Sequence, residues 1–413
     1  MDMNPNRSLR VLFVPQWYPY GENRMYGTFI REHVHAAGLH DRVAVLVVTS
    51  RSDRWPSLHW KRVEDEGIPT FYATYGHSPV PKTTWPFFYV HLRRALHRVF
   101  REWGVPDVLH TQDLQAYSVI KALWPQEIPI VVSQQWTGFM ERSLNRTQVR
   151  RFRYIFRRAS RVLAVNKFAE VDYRHYGLSA SVAWLPNTID ERIFGAPKDC
   201  RREPWLLHAS GFTPVKRVGD VIRAFARVHL GRPDAVLHLV GDGECRADME
   251  RLASRELPHT GYRFHGLLSK AKLAALMRRA AGFVFPSAAE TFGCVLMEAM
   301  ASGCPVLTTR IGGIPGVVGE GEGLFVDVGN IDEISEGMRR LLDGTHGLDM
   351  ERIGRDTRER FSHVAVGRIL HEEHIRAVHR SMEPTLAEMA GTQTAEQVAQ
   401  PSDTTGHRLF PTS

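Results

Sequence analysis

Residues 283–305 read FVFPSAAETFGCVLMEAMASGCP, and the elements they encode decide the fold. Phe283-Val284-Phe285 is a short apolar strand and Pro286 to Phe292 a loop; Gly293 opens a helix that Gly303 and Pro305 end. A strand, loop, helix and second strand in this order form the unit of a parallel sheet covered by helices. The helix opened by Gly293 leaves its first backbone N–H groups without internal acceptors. That end carries about half a positive charge, so a phosphate is accommodated there. Glu290 precedes the helix, within reach of a group attached to such a phosphate, and Glu298 lies further along it. One carboxylate can accept from sugar hydroxyls and the other from ribose hydroxyls. Two glutamates eight apart are ordinarily solvated surface charges; the strand before them and the glycine-opened helix between them change that reading.

The same alternation extends outward in both directions. The first half predicts strands at Arg10 to Pro15, Arg42 to Ser50, Ile68 to Ala73, Val108 to Gln112, Ile128 to Ser133 and Val162 to Asn166. Its helices are Gly27 to Leu39, Trp85 to Trp103, a segment ending at Leu123, and Thr147 to Ser160. A short strand at Ser181 to Leu185 ends in Pro186-Asn187-Thr188, and the stretch through Pro204 has the proline, glycine and charge of a linker. The second half restarts with strands at Trp205 to Ala209, Ala235 to Val240, Tyr262 to His265, Gly282 to Phe285, Pro305 to Thr308 and Leu324 to Val326. The expected architecture is α/β, with two Rossmann-like, doubly wound parallel-sheet domains facing a central cleft. The expected divisions are 1–190, 191–363, a helix over 364–382, and a disordered tail over 383–413.

The chain has 413 residues, 43% hydrophobic and 24% charged, enough for two cores of this kind. Cys200, Cys245, Cys294 and Cys304 show no spacing of a zinc site or disulfide framework. No apolar run reaches the roughly 18 residues a membrane span needs, so a cytoplasmic chain is expected. The net charge of +8 favours acidic partners. Much of it sits in two helical segments, Arg93 to Arg101 and Arg150 to Arg161, with no recognisable nucleic-acid-reading motif, so no nucleic acid is expected. Trp85-Pro86-Phe87-Phe88-Tyr89 leads into the first cluster. The segment reads either as peripheral contact with an anionic membrane, at its inner face, or as a surface helix with buried aromatics.

The segment around Glu290 and Glu298 resembles the paired-glutamate signature of retaining glycosyltransferase family 4, the bacterial polysaccharide type, which has the GT-B fold. Other segments agree in order: Val11 to Pro15 with Trp17-Tyr18-Pro19 and Gly27-Thr28-Phe29, Leu185 to Asp190, Ser210 to Arg217, Gly241-Asp242-Gly243 and Gly312-Gly313. The resemblance runs from Arg10 to Arg380. It implies that Glu290 holds the transferred sugar, and that Lys216 with the N–H groups of Phe292, Gly293, Cys294 and Val295 holds the pyrophosphate. It further implies that Glu298 holds the ribose, that Arg217 assists Lys216, and that Gly27, Gly211, Gly266 and Thr291 belong to the donor site. The last helix is implied to cross back to the N-terminal domain. His265, beside Gly266, reads equally as structural.

Three positions depart from the family pattern. Gln135 stands where the family places a histidine facing the sugar; glutamine keeps a hydrogen-bonding tip but carries no proton. Phe212 and Thr213 replace an arginine of the phosphate loop, and Gly316 replaces a glutamate.

The implied activity moves a sugar with retention from a UDP-, GDP- or ADP-sugar to an acceptor hydroxyl, in cell-surface polysaccharide or lipid-linked oligosaccharide assembly. The acceptor is a glycan or lipid-linked glycan, Gln135 joins Glu290 and Lys216 as a catalytic candidate, and no cofactor is expected. With no Asp-x-Asp pair at a strand end, no metal is implied. The alternative is a nucleotide-sugar-binding pseudoenzyme without turnover, which Gln135 raises. A nicotinamide-dependent enzyme is disfavoured because Gly241-Asp242-Gly243-Glu244-Cys245-Arg246 lacks the third glycine of that fingerprint.

Overall fold

Short β-branched runs separated by amphipathic helices become two parallel sheets in the computed structural model, which describes residues 7–19, 27–51, 58–76, 84–123, 127–179, 181–195 and 201–382. The stretch 383–413, expected as a tail, and the side chains of Trp85 and Pro86 lie outside the described residues.

The first sheet contains β1 (Arg10–Val14), β2 (Arg42–Arg51), β3 (His59–Asp65), β4 (Ile68–Gly76), β5 (Val108–Gln112), β6 (Ile130–Gln134), β7 (Arg161–Ala164) and β8 (Val182–Trp184). Their order is β3-β4-β2-β1-β5-β6-β7-β8, parallel except for β3. Strands β5 and β6 are buried along their whole length, as near-continuous apolar runs with helices on both faces must be. β3 escapes the sequence reading because its residues are mostly polar and it lies at the sheet edge. It pairs antiparallel with β4 across Glu66-Gly67, both at positive φ, a two-residue hairpin whose twist matches the strands.

The second sheet contains β9 (Glu203–Ala209), β10 (Val236–Val240), β11 (Tyr262–Gly266), β12 (Ala280–Phe285), β13 (Val306–Thr309) and β14 (Leu324–Val326). Its order is β11-β10-β9-β12-β13-β14, and the pairs are parallel. The strand order reverses between β9 and β12, so the loops leaving those strands border the crevice where doubly wound sheets bind ligands.

The first-half helices are α1 (Thr28–Ala37), α2 (Thr84–Trp103), α3 (Gln115–Leu123), α4 (Arg146–Arg158) and α5 (Ala169–His175). The second half supplies α6 (Val218–His229), α7 (Arg246–Glu256), α8 (Lys270–Arg279), α9 (Cys294–Ala301), α10 (Ile314–Val317), α11 (Ile331–Leu342), α12 (Met350–Phe361) and α13 (His363–Met382). Val366, Leu370 and Ala377 of α13 pack with Val11, Phe13, Ile30 and Val34 of the first domain. A buried polar seam accompanies that contact. Asp41 accepts from the Leu9 N–H (3.0 Å) and bonds His371 Nδ1 (2.8 Å) and His374 Nδ1 (3.2 Å), and His374 continues to His110 (2.9 Å).

Candidate active site

Two loops of the second sheet are tied together before any ligand is considered. The Ala288 N–H donates to the Val215 carbonyl (2.7 Å), and the Ser287 hydroxyl donates to the same oxygen (3.2 Å). These bonds draw the Pro214–Lys216 turn, which follows β9, against the loop that follows β12. Lys216 Nζ therefore donates to Glu290 Oε2 at 2.8 Å, with both side chains largely shielded from water. The other Glu290 oxygen lies 3.4 Å from the Phe292 N–H, at the start of α9.

Gly293 enters α9 with φ 91°, a left-handed conformation that side chains rarely adopt. The helix end it creates points its unsatisfied N–H groups at the space beside the Lys216–Glu290 pair. Gly313 N–H donates to the Glu290 carbonyl (2.9 Å), and a Cβ on Gly312 would overlap that carbonyl. The Gly312-Gly313 loop thus packs directly on the backbone that carries Glu290.

Across the cleft, Phe29 of α1, Gln135 after β6, Val165 after β7 and Asn187 of the linker face these loops. They enclose a cavity of about 310 Å³ together with Lys216, Glu290, Thr291, Phe292, Gly293, Cys294 and Val295. Asn187 donates to the Cys294 thiol (3.2 Å). Burial, followed by the charges of Glu298 and Glu290, pushes that thiol up to about 12, so it is not a thiolate nucleophile at neutral pH.

Gln135 is held at both ends. Its backbone N–H donates to Asp113 Oδ1 (3.1 Å), and its Nε2 lies 3.4 Å from His33 Nδ1. Gln135 Oε1, Asn187 Oδ1 and Thr188 Oγ1 are buried without a protein partner. A buried polar atom left unpaired costs about 1–3 kcal/mol. All three can accept hydrogen bonds, which suits a ligand rich in hydroxyl groups.

The remaining candidates lie outside the cavity wall. Gly27, at φ 72°, starts α1, and a Cβ there would come within 2.5 Å of the Trp17 backbone. Gly211 leads from β9 to the Lys216 turn. Arg217, expected to assist Lys216, pairs with Asp220 of α6 (2.5 Å) and does not line the cavity. Gly266 ends β11 at φ 64°, while His265 turns to His238 (3.0 Å). Phe212, in place of the family arginine, is a fully buried core ring.

Glu298 is half-buried in the second turn of α9. Burial raises its pKa to about 7, against the opposing charge of Lys270 and with the like charge of Glu32. Lys270 Nζ donates to Glu32 Oε1 (2.9 Å) and His363 Nε2 bonds Glu32 Oε2 (2.8 Å), so Glu32 of α1 ties the first domain to α8 and α13.

The sequence reading missed His33, Glu32 and Lys270. His33 left a signal: it lies within the buried stripe Ile30, His33, Val34, Ala37 of α1, where a histidine needs partners. Lys270 left another, since it opens α8, where the helix dipole disfavours a cation and no acidic residue shares its first turn. Among the described residues no cluster of His, Cys, Asp and Glu could hold a metal ion, and no helix is long and apolar enough to cross a membrane.

Known proteins resemble the chain in both halves. The family model for Glycosyltransferase Family 4 matches residues 32–192 and that for Glycosyl transferases group 1 matches residues 191–360. N-acetyl-alpha-D-glucosaminyl L-malate synthase of Bacillus anthracis is 35% identical over 167 residues, 38% of this chain and 43% of that protein. MMP alpha-(1->4)-mannosyltransferase of Mycolicibacterium hassiacum is 32% identical over 182 residues, 43% of each. These matches span less than half the length of either relative. The crystal structure of Anabaena HepE in complex with UDP-glucose superposes with a TM-score of 0.68 at 18% identity, covering 88% of this chain and 99% of that one. At that identity the likeness speaks for the fold, two Rossmann-like domains around a cleft.

Proposed function

We propose, for a chain that belongs to glycosyltransferase family 4 and has the GT-B fold, that it transfers a sugar from a nucleotide diphosphate sugar to an acceptor hydroxyl with retention at the anomeric carbon. One observation carries this reading. A single cavity between the domains holds the N-terminal end of α9, the Lys216–Glu290 pair and, from the opposite wall, Gln135.

The chemistry follows from those parts. The N–H groups at the start of α9 and the Lys216 ammonium meet the pyrophosphate and stabilise the negative charge that grows on it as the glycosidic bond breaks. Glu290 and Gln135 hold the transferred sugar, and Glu298 accepts from the ribose. With no nucleophilic side chain assigned, the donor phosphate oxygen takes the proton of the incoming hydroxyl on the face from which the nucleotide leaves, as the family resemblance implies. The leaving charge is met by lysine and helix end, so the proposed reaction uses neither metal nor cofactor.

The base is uracil, guanine or adenine. The acceptor is a glycan or lipid-linked glycan in cell-surface polysaccharide assembly, bound by the first domain. Exposed Arg93, Arg94 and Arg101 of α2 and Arg150, Arg153 and Arg157 of α4 support peripheral contact with anionic lipid. Phe87 and Phe88 pack on Tyr75, so charge and not inserted aromatics would supply that contact.

The test is mass-spectrometric detection of nucleotide release from UDP-, GDP- and ADP-sugars without added metal, native protein beside Glu290→Ala. The product's anomeric configuration is then read by NMR. Release from one donor, abolished in the variant, with the donor's configuration kept, is the expected result; no release from any donor rejects the reading.

A further inference from the structure

A histidine is absent from position 135, yet an imidazole stands behind that position, delivered from α1. We propose that His33 is a positioning residue that fixes the rotation of the Gln135 amide and so sets its carbonyl oxygen as the unpaired acceptor for a ligand. The cleft then selects donors carrying a hydroxyl at the sugar position that meets Gln135. The proposal rests on the nucleotide-sugar reading above.

Hydrogen-bond polarity fixes each step. His33 Nε2 lies 2.9 Å from the Pro186 carbonyl, which can only accept, so Nε2 carries the proton. The ring is wholly buried, and burial lowers its pKa to about 4, so at neutral pH it holds one proton and Nδ1 is a lone pair. That lone pair faces Gln135 at 3.4 Å. An oxygen there would set two lone pairs against each other, so the NH₂ of the amide faces His33. The Gln135 backbone is separately held by Asp113. The atom without a protein partner is Oε1, buried on a residue of the cavity wall.

A glutamine free to turn its amide offers a donor or an acceptor equally. One locked by His33 holds its carbonyl in one place as the acceptor. A sugar hydroxyl satisfies it, whereas a hydrogen, a fluorine or a carboxylate at the same position does not, and a site built to bond a hydroxyl rejects the analogue lacking it. His33 cannot touch the sugar itself, because both ring nitrogens are engaged; it acts through Gln135.

The test uses the full chain, the intact donor it turns over, and analogues of that donor deoxygenated or fluorinated at one sugar position at a time. In the native protein one position is expected to lose kcat/KM on the order of tenfold to a hundredfold for both analogue types. In His33→Ala the penalty at that position, and there only, shrinks to near unity. The double variant His33→Ala with Gln135→Ala matches Gln135→Ala alone. His33→Phe, which keeps the ring volume and removes both hydrogen bonds, replaces the alanine variant if thermal melting shows that the latter does not fold. Equal penalties in native and His33 variants, or losses that add in the double variant, overturn the proposal and leave the transferase reading intact. No nucleotide release from any intact donor overturns both.

Discussion

Lys216 and Glu290 meet at 2.8 Å although 74 residues separate them in the chain, because the Val215 carbonyl ties their two loops together. In the free protein each neutralises the other. In the proposed reaction an incoming diphosphate would offer Lys216 a second negative partner and leave Glu290 free to accept from the sugar. Lys216→Met removes the cation proposed to meet the leaving group. It is expected to lower kcat by roughly 10²–10³-fold, whereas Glu290→Gln, which keeps the shape and one acceptor, loses less than Glu290→Ala. Steady-state kinetics with the preferred donor decide; a Lys216→Met enzyme with native kcat would remove lysine from the chemistry.

Under the proposed ribose contact, Glu298 gives donor binding a pH dependence. Its carboxyl is raised to about 7 by burial; Lys270 opposes the rise, Glu32 adds to it, and the Cys294 thiol is neutral beside it. Ribose hydroxyls bond the ionised form more strongly than the protonated one. Donor affinity is therefore expected to rise between pH 6 and pH 8, by up to about tenfold for a single proton, and to be flat in Glu298→Gln. Calorimetric titration with the intact nucleotide sugar, whose diphosphate does not titrate over that range, is the measurement, and a slope that persists in the variant assigns the effect elsewhere.

What the sequence discloses depends on whether the cause is local. The strand, loop and glycine-opened helix around Glu290 lie within one short run, so both the fold and that half of the site are readable there. β3 is not readable, because an exposed polar edge strand carries no apolar alternation and is defined by its hairpin with β4. Lys216 and Glu290 are each recognisable, but their contact exists only through loops from different strands. His33 and Gln135 lie 102 residues apart, and Lys270 and Glu32 lie 238 apart. The first pair forms only once the first domain has folded and the second only once the two domains are placed, and no periodicity encodes either. Arg217 is the reverse case: its position suggested phosphate, and the structure adds a partner three residues away, Asp220, that the sequence reading did not weigh.

Asp41 anchors α13 to the first domain. Burial alone would raise its pKa, but His374, the Leu9 N–H and His371 carry it below the ordinary value. The stability it contributes is therefore present above the usual carboxylate range and is lost as pH falls through the lowered pKa. Asp41→Ala strands a backbone N–H and two imidazoles and is expected to cost about 2–4 kcal/mol. Urea unfolding gives the total, and hydrogen exchange over 363–380 should show α13 losing protection before the second sheet. Unchanged protection there would mean that the apolar contacts of Val366 and Leu370 suffice.

Asp113 acts in the opposite sense. It is fully buried at φ 44°, with Oδ1 accepting from the Gln135 N–H (3.1 Å) and the Trp136 N–H (3.3 Å) and Oδ2 buried without a partner. Burial raises its pKa to about 7 in spite of those two bonds. Between the ordinary carboxylate pKa, about 4, and pH 7 the folded chain keeps a proton that the unfolded chain has released. Folding stability therefore falls as pH rises through that window, by roughly a few kcal/mol in total. Asparagine tolerates the left-handed backbone and keeps the acceptor while carrying no charge. Asp113→Asn is thus expected to gain on the native protein between pH 5 and pH 8, whatever its offset from an unpaired amide NH₂. Denaturant titrations at both pH values measure that difference; one that does not change with pH would show that the carboxyl is already ionised at pH 5, with its charge met by the Gln135 loop it holds.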